Sequence, residues 1–163
     1  MKCLAEIWVD VCADNAALER GLAPLPKRWA RYTPDMKACW LAVGLALRGA
    51  GEVAAERVGC VACGMGGSHA ANRAYFADYL AGGRRLGRSA LFIHTLPTAV
   101  IAECALHFAL GGPLLYALAA DGRLADALAL AEACLAQEGV DRVLLLSCDA
   151  QRAGCLALMR GGG

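Results

Sequence analysis

Between Leu124 and Ala136 the chain carries eleven apolar residues and only two polar ones, Asp126 and Glu132. A helix that is apolar all round is normally buried all round, because no side of it gains from facing water. Whatever this chain folds into must therefore bring protein against both sides of that segment. The strands legible elsewhere in the sequence supply one sheet, so either the monomer folds back over the second side or a partner covers it.

Composition points the same way. At 163 residues and 58% apolar positions the chain is long enough for one domain with a substantial core. Only 19% of residues are charged and the net charge is +1, which gives no reason to expect nucleic acid or an acidic surface as partner. A small domain has much surface to cover with polar groups, so this apolar excess implies contact with another protein. The charge-poor stretch from Ser89 to Ala120 is not a membrane span: Glu103, His94, His107, Pro97 and the breaker Gly111-Gly112-Pro113 interrupt it. Glu6 and Asp10 lie inside the N-terminal apolar run, which lacks a signal-peptide layout, and the expected compartment is the cytoplasm.

The nine cysteines are odd in number and scattered through apolar segments, as buried reduced thiols are, rather than grouped as a disulfide framework. Cys60-Val61-Ala62-Cys63 has motif spacing but reads as a strand, where those two side chains face opposite ways, and no second pair follows at zinc-site spacing. No metal site is expected.

Ala5 to Cys12 reads as a first strand, followed by an irregular or partly helical segment with Pro24, Pro26 and Pro34. Thr33-Pro34-Asp35 starts a helix over Met36 to Ala50, which Gly49 to Gly51 stop. Arg57 to Cys63 is a second strand, and Ser68 opens a helix to Leu80 with Tyr75, Phe76 and Tyr79 on one side. Pro97 suits the first turn of a helix to Leu110. Leu114 to Ala119, Val143 to Cys148 and Cys155 to Met159 complete the strands, with a helix over Gly122 to Glu138. Strands alternating with helices predict an α/β domain over 1–163 with a mostly parallel five-stranded sheet packed with helices.

Several landmarks, in order over residues 36 to 150, resemble the N-terminal half of the β-ketoacyl synthases, members of the thiolase-like superfamily. Val58-Gly59-Cys60-Val61-Ala62-Cys63-Gly64-Met65-Gly66-Gly67 resembles the family's strand and glycine turn. His94-Thr95-Leu96-Pro97, followed by Ala99 to Leu110, resembles the Asn-Thr-Leu-Pro helix, and Val140 to Ala150 resembles the strand after the nucleophile helix. Gly112-Pro113, five variable positions and Ala119-Ala120-Asp121 stand where the family has Gly-Pro, five positions and Thr-Ala-Cys. The resemblance thus implies a thiolase-like half-domain with Asp121 in the nucleophile's place.

That exchange removes the chemistry. A helix N-terminus favours a thiolate, which makes the family's cysteine a good acyl acceptor. Asp121 keeps the negative charge and makes a good helix cap, but acyl-aspartate would be a mixed anhydride, reactive toward water. Ala119, Arg123 and Leu124 also depart from the family's Thr, Ser and Gly. The family's catalytic histidines and lysine lie in its second half, whereas His69, His94 and His107 all precede the turn, so none carries over as a base.

The resemblance implies a non-condensing, chain-length-factor-like subunit of a bacterial type II fatty-acid or polyketide system, with the aryl-polyene type as one setting, partnering an active ketosynthase and needing no cofactor. His94, Thr95, Leu115 and Ala117 would line the acyl pocket or subunit interface. Arg84, Arg85 and Arg88 have the chemistry to dock an acidic acyl carrier protein, as a lesser cluster of Lys27, Arg28 and Arg31 has, although such runs also simply solvate loops. Expressed alone, the chain is expected to form a homodimer. Two alternatives stay open: a stand-alone decarboxylase or hydrolase of acyl thioesters using Asp121 as base, with helix N-terminal donors stabilising an enolate or oxyanion, or a truncated synthase with no independent role.

Overall fold

The computed structural model describes residues 1–64, 69–84, 89–117 and 124–161. Its strands are β1 (Lys2–Asp10), β2 (Val58–Cys63), β3 (Leu114–Ala117), β4 (Arg142–Cys148) and β5 (Arg152–Met159). Its helices are α1 (Ala16–Gly21), α2 (Pro34–Gly49), α3 (His69–Ala81), α4 (Ser89–Phe92), α5 (Ala99–Phe108) and α6 (Leu124–Ala136).

The five strands form one sheet in the order β1-β5-β4-β2-β3. β4 pairs parallel with β2 and β2 parallel with β3, while β5 runs antiparallel to both β4 and β1. Four strands therefore share one direction and β5 is reversed, so the sheet is mixed. The reversal follows from chain length: only Asp149, Ala150 and Gln151 join β4 to β5, and a parallel crossover needs a dozen or more residues. Asp149 shapes this hairpin by accepting hydrogen bonds from the backbone N–H groups of Gln151 (2.7 Å) and Arg152 (2.9 Å) at Oδ1. Those two donors, Arg152 before Gln151, hold its carboxyl below the usual range.

α2 starts where the Thr33-Pro34 signal places it, with Thr33 extended at the cap and Pro34 in the first turn. It lies on one face of the sheet with α5, burying Trp40, Leu41 and Val43 completely among Cys60, Leu144, Leu146 and Cys155. Trp40 is enclosed by Trp29, His107 and Phe108, with ring centroids 4.9 to 5.1 Å away. α6 covers the opposite face, where Ala127, Ala131, Cys134 and Leu135 meet Val61, Val143 and Leu145. Cys60 and Cys63 accordingly fall into opposite cores. Burial pushes the Cys60 thiol up to about 12.

Two expectations change. α5 begins at Ala99 with Thr98 at its cap, so Pro97 stands just outside the helix rather than in its first turn. α6 is not buried all round: Ala125, Ala129, Leu130, Ala133 and Ala136 are exposed. Among the described residues the chain offers one sheet to this helix and does not fold back over its other side.

Gly112-Pro113 has a packing role visible here. Gly112 donates to Val58 O (3.0 Å), Pro113 O accepts from Cys60 N (2.8 Å), and a Cβ on Gly112 would stand 2.6 Å from Gly59 N. Only glycine lets β3 enter this close to β2. Among the described residues no helix is long and apolar enough to cross a membrane.

Candidate functional site

The C-terminal ends of β2, β3 and β4 point the same way, and a cavity opens beside them under α2 and the start of α5. In open α/β sheets this end of the strands is where ligands bind, because the chain diverges there into different connections. Cys63, Tyr116, Leu146 and Cys148 come from the strand ends, Met36 and Cys39 from α2, and His94, Leu96, Pro97 and Val100 from the segment leading into α5. The space open to the centres of water molecules is about 40 Å³, against about 10–15 Å³ needed for one water.

The walls are mostly apolar with a few convergent polar groups, the ordinary make-up of a small-molecule pocket. His94 is 6% exposed and its Nδ1 has no hydrogen-bond partner among the described residues; Thr33 Oγ1 is buried in the same condition. Tyr116 donates to Gly64 O (3.1 Å). Burial raises the Tyr116 hydroxyl, helped by the neighbouring thiols of Cys63, Cys148 and Cys39. Gly64 closes the end of β2 against β4: a Cβ there would stand 2.5 Å from Cys148 O. Behind His94, Tyr32 packs edge-on at 6.1 Å and donates to Glu103 Oε2 at 2.6 Å.

The residues singled out from sequence separate into groups. His94 lines the cavity. Thr95, next to it, is buried, donates through Oγ1 to Phe92 O (2.7 Å) and accepts at its carbonyl from Asn72 Nδ2 (3.0 Å), which ties the segment before α5 to α3. Leu115 and Ala117 lie on β3, an edge strand, facing the α6 side. Leu115 is 38% exposed and Leu114 42%, whereas Ala117 is buried against α6 and belongs to the core. Arg84 is exposed in a left-handed conformation. Asp121, Arg85 and Arg88 lie outside the described residues.

Sequence reasoning missed Cys39, Tyr116 and Cys148 as cavity residues. Their convergence depends on α2 crossing the end of β4, which no local pattern encodes. It also missed an apolar surface beside the site, where Phe76 (59% exposed), Leu80, Phe92, Ile93 and Leu96 are exposed around a Tyr75–Phe92 edge contact. The aromatic side of α3 had been the only signal of it.

No protein-family model matches the chain, and no curated protein matches it in sequence. Among solved structures, it is similar to a ketosynthase in complex with its chain length factor, from Xenorhabdus doucetiae, with a TM-score of 0.69 and 15% identity. The likeness covers 100% of this chain and 81% of the matched chain. At that identity it establishes the fold alone: a thiolase-like α/β arrangement with a mixed five-stranded sheet between helical layers.

Proposed function

We propose that this chain is a non-condensing, ketosynthase-like subunit, comparable in role to a chain length factor, which partners an active ketosynthase. The observation that carries the reading is the likeness, over the whole chain, to a chain of a ketosynthase–chain length factor complex; the sequence resemblance that sets Asp121 where the family has its nucleophilic cysteine supports it. The matched chain is of comparable length, so a fold of this size occurs within a ketosynthase–chain length factor complex. In this reading residues 1–163 act as one domain in the cytoplasm, in a bacterial type II system, with the aryl-polyene type as its setting.

Three surfaces support partnership. β3 leaves a sheet edge with Leu114 and Leu115 exposed, and an exposed edge pairs readily with another strand. α6 presents Ala125, Ala129, Leu130 and Ala133 to solvent, and α3 with α4 presents Phe76 and Phe92. Large exposed apolar surface is where proteins meet partners, and these side chains supply such surface on two sides of the molecule. An active ketosynthase on the β3 edge would bring its own cysteine and bases, leaving this chain to shape the acyl pocket with His94 and Thr95. Arg84, Arg85 and Arg88 are the proposed contact for the acyl carrier protein.

The test is co-expression with a Cys-containing ketosynthase of the same genome. Formation of a defined complex, and a changed distribution of product lengths relative to the ketosynthase alone, is the expected result. A chain that neither binds such a protein nor alters its products overturns the reading.

A further inference from the structure

One of the three apolar surfaces that face solvent is edged by arginine. On α3, Arg73, Phe76, Ala77 and Leu80 recur at the three- and four-residue spacing that places side chains on one side of a helix, and all four are exposed. Arg84, in the turn that follows, is exposed as well. The apolar stretch thus has a cation before it and another after it. Beside α3, Phe92 at the end of α4 and Ile93 and Leu96 after it also face solvent, and the edge contact of Tyr75 with Phe92, at 5.7 Å, joins the two parts. Phe76, Leu80, Phe92, Ile93 and Leu96 are 42 to 59% exposed. So much apolar surface in one place marks a contact.

Charge decides what that contact is with. Residues 69 to 98 hold four arginines and one acid, Asp78, in a chain whose net charge is only +1. Leu124–Ala136, by contrast, carries only Asp126 and Glu132 as charges. We propose that the α3–α4 surface docks on a membrane surface rich in anionic lipid, with Phe76, Leu80, Phe92 and Ile93 entering the headgroup region and Arg73 and Arg84 meeting lipid phosphates. The contact is peripheral, of the kind made by a helix that lies in the interface with its apolar side down.

A second copy of this chain fits the surface less well, because an isologous contact sets the arginine-bearing segment against itself. A bilayer offers the opposite charge, and it takes protruding rings without a pocket matched to each. Leu96 is exposed here and also lines the cavity, so the docked surface and the cavity share a wall. The inference uses neither Asp121 nor the ketosynthase partner, and it leaves the β3 edge and α6 for that subunit. Arg84 is the described residue that it shares with the proposed carrier-protein contact.

Flotation of the full chain with lipid vesicles tests the proposal, one set made of phosphatidylcholine alone and the other of an equal mixture with phosphatidylglycerol. The protein should float with the mixed vesicles and not with the neutral ones, and added salt should weaken the binding by screening. Phe76→Ser combined with Phe92→Ser should abolish flotation, and Arg73→Ala and Arg84→Ala should each lower the partition coefficient about fivefold. Leu106→Ser, which removes an exposed leucine of α5, should change nothing. Circular dichroism checks that each variant is folded. Should the serine exchanges unfold α3, Phe92→Trp gives an independent reading: compared with wild type, its fluorescence should shift to shorter wavelength when mixed vesicles are added. Protein that stays below the mixed vesicles, floats equally with neutral ones, or binds without a shift in the Phe92→Trp variant would overturn the proposal. Absence of flotation together with carrier-protein binding that the double serine variant loses would overturn it in favour of an acidic protein partner.

Discussion

The two faces of the sheet are covered by helices that look alike in sequence and end differently. α2 and α6 are both almost wholly apolar, yet α2 is sealed on nearly every side by α1, α5, the aromatic cluster around Trp40 and the sheet, whereas α6 touches the sheet on one side and meets solvent on the other. The difference lies in what the rest of the chain supplies. Residues 16 to 50 and 89 to 110 wrap the α2 face with large side chains; nothing among the described residues does so for α6. An apolar helix therefore reports that cover is needed, not where it comes from.

The strongest way to break this comparison is at its closed side. Trp40→Ala removes the ring at the centre of the α2 core, which is 0% exposed, and should cost about 3–5 kcal/mol in denaturant unfolding. A loss of less than 1 kcal/mol would mean that the α2 face is far looser than described.

The open side is sharpened by making one change at two places on α6. Ala131→Leu overfills a site that is 0% exposed and should cost about 1–3 kcal/mol. Ala133→Leu, two residues on and exposed, should stay within about 0.5 kcal/mol. Equal costs would show that the outer side of α6 is as closely packed as the inner.

The hairpin that serves both faces gives a smaller effect than either core change. Asp149→Ala removes an acceptor of two backbone N–H bonds and should cost about 1 kcal/mol at neutral pH. Because the folded carboxyl titrates below its unfolded value, its contribution is full above the unfolded pKa, about 3.9, and disappears as pH falls through the lower folded one. Unfolding curves of wild type and variant should therefore separate at pH 7 and converge in strong acid; a gap that persists there would assign the loss to something other than this carboxylate.

Much of this architecture was legible in the residues. Thr33-Pro34-Asp35 placed the start of α2 to within two residues, the run from Arg57 to Cys63 placed β2 to within one, and the order of strands and helices read from the residues is the order in the fold. The reversal of β5 escaped because alternating strands and helices suggest a parallel sheet; the signal was the gap from Asp149 to Gln151, too short for any crossover. Leu115 and Ala117 share a face by the two-residue period, but only packing separates the exposed edge residue from the core one. His94 could be singled out by its place in a motif. Its neighbours Cys39, Tyr116 and Cys148 could not, since they meet through long-range packing of α2 on β4.

The central claim is that the sheet edge at β3, together with the open apolar surface, is completed by another subunit. Light scattering on the chain alone and on the chain co-purified with its Cys-containing ketosynthase tests this most directly, with Leu115→Asp as the probe of the edge. The account predicts a homodimer in the first case and a one-to-one complex in the second, with both masses falling to single subunits for a Leu115→Asp variant whose circular dichroism is unchanged. Wild-type protein that stays monomeric with and without the ketosynthase, or a folded Leu115→Asp variant with undiminished masses, would contradict it.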